Sequence, residues 1–358
     1  MINVTKSFLP PMEEYQKYLS GIWDRAWLTN HGPLVQELEQ QLKEYLGVQH
    51  LLYVSNGTVA IQIAIKALEL KGEVITTPFS YVATTTSLIW ENCIPVFADI
   101  DERTFCINSS DIERHITPNT TAILATHVYG YACDVEEIER IAIKHNLKVI
   151  YDGAHAFDVR VKGQSIFSFG DVSTVSFHST KLFHTIEGGA IITKDKQTAE
   201  KMSLYRSFGH IGDSYYSMGI NGKNSEFHAA MGLCNLPYVE QIIQSRKQSA
   251  ELYRKLLNNR LIYFPGPAVA QSLNYAYFPV VFQNEAVLLK IKAALSENEI
   301  NTRRYFYPSL NTLSYLHSKN DCPVSENIAT RVLCLPLYYE MDSSDIEKIC
   351  KIVNSCFQ

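Results

Sequence analysis

Five apolar runs, each ending in small or polar residues and separated by helix-like stretches, constrain this chain more than any other feature. Leu51-Leu52-Tyr53-Val54 runs into Ser55-Asn56-Gly57-Thr58. Glu73-Val74-Ile75-Thr76-Thr77-Pro78, Ile94-Pro95-Val96-Phe97-Ala98-Asp99 and Thr121-Ala122-Ile123-Leu124-Ala125-Thr126-His127 follow, and then Leu147 to Tyr151 ending at Asp152. Strands apolar at consecutive residues are buried on both faces, the pattern of a parallel sheet covered by helices. Between them, Val59 to Leu70 alternates at Ile61, Ile63 and Ile65, which alone would suit a strand. Its alanines (Ala60, Ala64, Ala67) and small polar lead-in predict a helix starting near Thr58 instead. A second helix-like stretch reaches about Trp90, and Asp134 to Ala142 opens like a capped helix, with Glu137 placed as in a capping box. Strand-helix-strand repetition of this kind predicts the α/β class, with a mostly parallel sheet.

From about Tyr238 the pattern changes to longer amphipathic helices, Ile242 to Leu257 and Glu285 to Asn298, with a strand over Tyr275 to Phe282. This divides the chain into an N-terminal segment and large α/β domain (1–237) and a smaller C-terminal α+β domain (238–358), with no Gly/Ser-rich linker between them. A net charge of −5 offers no broad basic field, so no nucleic-acid partner is expected. No run of ~18 apolar residues exists to cross a membrane. Met1 to Lys6 lacks the pattern of a signal peptide, so a cytoplasmic protein is expected. The eight cysteines are scattered without a Cys-x-x-Cys pair, as expected of reduced thiols. No clustered ligand set predicts a metal.

In a parallel α/β sheet, ligands bind beyond the carboxyl ends of the strands. Gly57-Thr58, Ser80-Tyr81, His127 to Gly130, Asp152 to His155 and Ser176 to Lys181 all fall at or just past such ends. Gly57-Thr58 at a helix start offers free amides to a phosphate, or is a plain N-terminal cap. Tyr81 could lie on a pyridine ring or belong to the core. Asp152, an acid closing an apolar strand, needs a partner such as a protonated pyridinium, or is itself a helix cap. His155 could orient Asp152, stack on a cofactor or face solvent. Lys181 has apolar neighbours (Phe177, Leu182, Phe183) and is followed by Gly188-Gly189, which permits a close backbone approach. Desolvation would lower its pKa, whereas most lysines are solvated surface residues. In this order and spacing the groups suit pyridoxal phosphate: a lysine for the Schiff base, an acid for the ring nitrogen, hydroxyls and amides for the phosphate. A nicotinamide-dependent oxidoreductase should instead carry Gly-x-Gly-x-x-Gly after its first strand, where this chain has Ser-Asn-Gly-Thr.

Ser-Phe-His-Ser-Thr-Lys181 followed by Ile-Glu-Gly-Gly-Ala, with Tyr-Asp152-Gly-Ala-His upstream, resembles the DegT/StrS-type sugar-nucleotide aminotransferases, pyridoxal phosphate enzymes of fold type I. The resemblance covers nearly the whole chain. It includes Gly32-Pro33 with Leu38-Glu39, Thr77-Pro78-Phe79-Ser80-Tyr81-Val82-Ala83-Thr84, His127-Val128-Tyr129-Gly130, and Asn221 to Glu226 before Ala229. It implies an aspartate aminotransferase-like fold, with a large, mostly parallel seven-stranded sheet domain and a smaller C-terminal domain. It further implies that Lys181 carries the cofactor, Asp152 pairs with its ring nitrogen, Gly57, Thr58 and Ser176 bind its phosphate, Tyr81 stacks on it and His155 lies beside it. Asn221 matches a family asparagine that reaches the other subunit's phosphate, implying a homodimer with shared sites.

Two departures stand out. Gly153 replaces a common alanine, which should loosen packing, and Lys223 stands where arginine is common and cannot make the same bidentate contact. Because Lys181 is present, and not the histidine of the dehydratases in the family, the resemblance implies transamination. The reaction implied moves an amino group from L-glutamate, through pyridoxamine phosphate, to a nucleotide-linked keto sugar. Phe8 to Pro11 and Trp27 to Pro33 resemble members acting on dTDP-4-keto-6-deoxyglucose, implying dTDP-4-amino-4,6-dideoxyglucose for O-antigen, lipopolysaccharide or related glycans. A 3-keto or GDP- or UDP-linked sugar, or dehydration on the same scaffold, are the alternatives. Thr29, Asn30, His184, Lys223, Tyr305 and Tyr307 are candidate substrate contacts.

Overall fold

The computed structural model describes residues 1–257, 262–316 and 320–357. Each of the five apolar runs is a strand: β1 (His50–Val54), β2 (Gly72–Thr76), β3 (Cys93–Phe97), β4 (Thr120–Thr126) and β5 (Lys148–Asp152). After a short hairpin, β6 (Arg160–Val161) and β7 (Gln164–Ser165), come β8 (Val172–Ser176) and β9 (Gly189–Thr193). These complete a seven-stranded sheet ordered β1-β9-β8-β5-β4-β2-β3. Strands β3, β2, β4, β5 and β8 run parallel to one another, and β9 runs antiparallel to both β8 and β1. The mostly parallel seven-stranded sheet expected from the sequence is therefore present.

The ambiguous segment after β1 is the helix Gly57–Ala67, whose cap residue Asn56 accepts a hydrogen bond from the Val59 N–H at 2.9 Å. Ile61, Ile63 and Ile65 are all buried because this helix packs against β8 and β9 as well as two neighbouring helices. Burial on several sides produces the strand-like alternation. The helix Val135–His145 is capped as expected by Asp134, but Glu137 does not reach back to complete the box. Its carboxylate takes Arg140 instead, at 2.7 and 2.8 Å.

Gly32-Pro33 opens the helix Pro33–Leu46, and the buried carboxylate of Glu226 accepts from the amides of Leu34 (3.0 Å) and Val35 (2.9 Å). A Cβ on Gly32 would lie 2.6 Å from the Glu226 carboxyl carbon, so the glycine is required by the acid that caps the helix.

A second short hairpin, β10 (His210–Ile211) and β11 (Ser214–Tyr215), precedes the helix Glu226–Asn235 and the long helix Val239–Leu256. The C-terminal part adds an antiparallel pair, β12 (Phe278–Val281) and β13 (Val332–Leu335), and the helices Glu285–Glu297, Pro323–Arg331 and Ser343–Ser355. Its core, with Leu288, Ile291, Leu333 and Ile349, is separate from that of the large sheet. The long helix serves both: Val239 and Ile242 pack on the large core, Ala250 and Tyr253 on the small one. The proposed C-terminal unit 238–358 includes 258–261, 317–319 and 358, which lie outside the described residues. The strand expected over 275–282 is confined to β12: Phe278 pairs with Leu335, and residue 277 would next face Pro336, which has no N–H to donate, while the buried Arg246 donates to the carbonyls of Tyr275 (3.4 Å) and Ala276 (3.2 Å). All eight cysteines are unpaired and seven are buried. Among the described residues no helix is long and apolar enough to cross a membrane.

His127, directly after β4, is fully buried and stacked on Tyr151 with ring centroids 4.7 Å apart. Its Nδ1 accepts from the Cys133 N–H at 3.1 Å, and burial pushes its pKa down to about 3. The unfolded chain, with a histidine near pKa ~6.5, therefore binds a proton that the folded chain refuses between these values. Stability should fall as the pH drops below about 6.5, by up to ~1.4 kcal/mol per pH unit for this residue. Urea titrations at pH 7, 6 and 5 should show at least that slope, since the buried His155 and His184 are depressed in the same direction, and His127→Phe should flatten it by the His127 share.

Candidate functional site

The carboxyl ends of β5 and β8, the segment that follows β2 (Ser80, Tyr81) and the first turn of Gly57–Ala67 surround a cavity of about 430 Å³, while His127 to Gly130 after β4 do not line it. Lys181 enters it from the loop between β8 and β9. That loop is closed by hydrogen bonds from Phe177 N–H to Gly188 O (2.8 Å) and from Thr185 N–H to Phe177 O (2.9 Å). Phe177, Leu182 and Phe183 anchor it in the core. Gly189 lets β9 approach the turn at Asn56-Gly57, since a Cβ there would lie 2.6 Å from the Asn56 carbonyl carbon and 2.8 Å from the Gly57 nitrogen. The Lys181 ammonium meets the Tyr277 hydroxyl at 3.4 Å. Burial lowers its pKa from the ordinary lysine value, partly opposed by the negative charge of Asp152. A lysine so placed holds more neutral amine at a given pH, which a nucleophile or base requires.

Asp152 ends β5 with both carboxylate oxygens engaged. The Thr84 hydroxyl donates to Oδ2 at 2.6 Å and the Ala154 N–H to Oδ1 at 3.0 Å. Because the Thr84 proton is spent on Asp152, the Ser80 hydroxyl donates to Thr84 (2.8 Å), and Thr126 donates to Ser80 (3.0 Å). All four side chains are buried. Every proton in this chain points towards Asp152, so the charge is stabilised and its direction fixed. Thr84→Val removes one hydrogen bond to a charged group, worth about 1.5–3 kcal/mol. Cofactor affinity measured by dialysis should weaken roughly 10- to 100-fold, while Thr84→Ser keeps it near wild type.

His155 is buried between Phe306, stacked at 5.6 Å, and Tyr277, met edge-on at 5.0 Å. Its Nδ1 accepts from the Tyr129 N–H at 3.3 Å. Burial first, and the nearby Lys181 charge second, hold its pKa well below the usual histidine value. The ring is neutral with its proton on Nε2. Gly57 faces Ser176 closely (a Cβ would lie 3.0 Å from that of Ser176), so first-turn amides and the Ser176 hydroxyl share one rim of the cavity. Amides of a first helical turn have no partner within the helix and suit an anion. Tyr81, just before the helix Val82–Trp90, is half-exposed over the cavity.

The structure thus brings Gly57, Thr58, Tyr81, Asp152, His155, Ser176, Lys181 and Tyr305 to one cavity. The other predicted site residues lie elsewhere in this chain. Asn221 is exposed, in a single bridge with Ser207. The Lys223 ammonium sits 4.5 Å from the Phe208 ring centre, and desolvation, then the Arg206 charge, lowers its pKa. Thr29 and Asn30 are exposed, the Thr29 carbonyl accepting from the Trp27 indole at 2.6 Å. His184 is buried, with Nε2 donating to the Phe8 carbonyl (2.7 Å) and Nδ1 accepting from the Ile186 N–H (3.2 Å). Tyr307 lies under the Arg304 guanidinium at 3.4 Å.

Gly153 does not loosen the packing as expected. The Phe167 ring occupies the space, with Cε1 2.5 Å from where a Cβ would stand. Sequence reasoning also missed Thr84, Tyr277, Arg303 and Phe306. The Ser80-x-x-x-Thr84 spacing, one helical turn, was an available signal for the first. No local pattern marks the others, which arrive from the C-terminal part of the chain.

Residues 11–354 match the DegT/DnrJ/EryC1/StrS aminotransferase family. A dTDP-4-amino-4,6-dideoxy-D-glucose transaminase of Shigella dysenteriae is 42% identical over 97% of both chains. One of Escherichia coli is 39% identical over 98% of both. The crystal structure of DesI in the presence of its TDP-sugar product superposes with a TM-score of 0.94 at 30% identity, covering 99% of this chain and 92% of that one. A lysine of lowered pKa, an anchored carboxylate and a ring of amides and hydroxyls in one cavity are the groups that pyridoxal phosphate requires, and with these matches the chain belongs to the DegT/DnrJ/EryC1/StrS family as a pyridoxal phosphate-dependent aminotransferase.

Proposed function

We propose that this enzyme transfers the amino group of L-glutamate to dTDP-4-keto-6-deoxy-D-glucose, giving dTDP-4-amino-4,6-dideoxy-D-glucose. The observation that carries this reading is the end-to-end similarity to the Shigella transaminase of that name, with Lys181 and Asp152 in a single cavity. Pyridoxal phosphate, when bound, supplies an electron sink for bond breaking at the donor's α-carbon. Lys181 holds the cofactor aldehyde and, once released from it, takes and returns a proton at the reacting carbon. Asp152, fixed by Thr84 and Ala154, pairs with the ring nitrogen and keeps it protonated. Gly57 and Thr58 amides with the Ser176 hydroxyl hold the phosphate. Tyr81 would cover one side of the ring and His155 would lie beside it, since both line the cavity.

The active unit is a homodimer. Phe208, Ile211, Tyr215, Tyr216 and Met218 expose apolar surface around the β10–β11 hairpin, close in sequence to Asn221. A second copy covering this face would bring Asn221 to the partner's cavity. Thr29, Asn30, Lys223 and Tyr307, which do not line the cavity of their own chain, are assigned to the sugar nucleotide in that assembly, and Tyr305 contacts it within its own chain. Synthesis takes place in the cytoplasm and supplies a deoxyamino sugar to surface glycans such as O-antigen. The test is incubation with pyridoxal phosphate, L-glutamate and dTDP-4-keto-6-deoxyglucose, with the sugar nucleotide followed by mass spectrometry. An amino sugar product and 2-oxoglutarate in equal amounts are expected. A dehydrated product, or turnover confined to GDP- or UDP-linked keto sugars, would overturn the assignment.

A further inference from the structure

Two adjacent arginines near the cavity have opposite circumstances. The Arg304 guanidinium donates to Glu285 at 2.8 Å and to the carbonyls of Ala329 (3.3 Å) and Thr330 (3.0 Å), and stacks on Tyr307. It is neutralised by the protein itself. Arg303 lines the cavity, and its guanidinium makes no hydrogen bond or ion pair among the described residues. Its contact is the face of Tyr305, 5.1 Å from the ring centre. The backbone of Arg303 is nevertheless pinned, its N–H donating to the Cys334 carbonyl (3.3 Å) and its carbonyl accepting from the Cys334 N–H (2.8 Å). The root of this side chain is thus fixed to the C-terminal sheet.

Neither acid that lines the cavity is paired with Arg303. Asp152 is held by Thr84 and Ala154, and Glu187 pairs with His178 at 3.5 Å. The cavity therefore presents an uncompensated guanidinium, a group that takes carboxylates in a planar, two-pronged contact. We propose that Arg303 is the carboxylate receptor of this active site and binds the α-carboxylate of the amino donor. The assignment rests on the aminotransferase reading above and adds the residue that holds the donor.

Position favours a carboxylate over a diphosphate. Lys181 and Arg303 line the same cavity, and Tyr277, whose hydroxyl meets the Lys181 ammonium at 3.4 Å, lines it with them. The reacting amine and the guanidinium therefore face one cavity. In an α-amino acid the carboxylate carbon is two bonds from the nitrogen, so an anion beside the reacting amine is what a donor delivers. In a sugar nucleotide the pyranose ring stands between the keto carbon and the diphosphate, which places that anion farther out.

The test uses the holoenzyme with Arg303→Gln and Arg303→Lys. Loss of a two-pronged charged contact should raise the KM for L-glutamate roughly ten- to a hundredfold in R303Q. R303K should recover only part of it. The KM for the keto-sugar nucleotide and the dialysis affinity for pyridoxal phosphate should stay within about twofold of wild type. Calorimetry with glutarate, a dicarboxylate with no amine to transfer, reads the same contact without turnover and should show the same weakening. That arm stays decisive even if no sugar nucleotide is aminated, which would sink the functional reading alone. Unchanged glutamate KM and glutarate affinity in R303Q would overturn the proposal. A rise confined to the KM for the sugar nucleotide would assign Arg303 to the diphosphate and overturn it too.

Discussion

Lys181→Ala should leave a folded protein whose transamination is reduced by more than about 10⁴-fold, the largest loss expected of any single substitution in this chain. Two contributions vanish together: the covalent hold on the cofactor and the proton carrier at the reacting carbon. Among the described residues that line the cavity, Lys181 is the only lysine. The fold should survive, because the loop is closed by backbone hydrogen bonds at Phe177, Thr185 and Gly188 and anchored by Phe177 and Phe183, none of which involves the lysine side chain. The measurement is the visible absorption of the lysine-bound cofactor alongside activity. Wild-type protein should show the band and lose it on adding L-glutamate, while the variant should lack it. A variant that keeps both the band and turnover would remove Lys181 from the mechanism.

The second large effect is at Asp152. In Asp152→Asn the new amide would face the Thr84 hydroxyl or the Ala154 N–H with a donor of its own, and the buried negative charge would be gone. Removing one member of a buried charge pair costs about 3–5 kcal/mol, or roughly 10²- to 10⁴-fold in the quantity it supports. The loss should appear mainly in kcat, because the ring nitrogen is no longer held protonated when electrons must be accepted. Cofactor affinity should fall as well, whereas the KM for L-glutamate should move little. A variant with full kcat would show that the Thr126-Ser80-Thr84 hydroxyl chain leads to a carboxylate of purely structural use.

The sequence announces the parallel sheet because its strands are covered on both sides and need no polar alternation. Asp152 and Lys181 stand out for the same reason, as charges set in otherwise apolar runs. What it hides follows from packing at a distance. Tyr277, Arg303 and Phe306 come from more than 90 residues beyond Lys181, and nothing in their neighbours distinguishes a cavity wall from a surface loop. His184 misleads in the opposite direction. It is three residues from Lys181, but its side chain turns inward to Phe8 and Ile186. Gly153 reads as a loss of packing only while Phe167, fourteen residues on, is out of view.

Pro336 sets the limit of β12, and just beyond it Arg246 takes over. By taking the carbonyls of Tyr275 and Ala276 it does for those two peptides what an adjacent strand would otherwise do. Had the ladder continued back through residue 277, the pleat would have committed that tyrosine to one face of a two-stranded sheet. The ladder ends at Phe278 instead, and the Tyr277 hydroxyl meets Lys181. The catalytic wall contributed by the C-terminal half thus begins where the ladder stops and a buried guanidinium satisfies the carbonyls in its place.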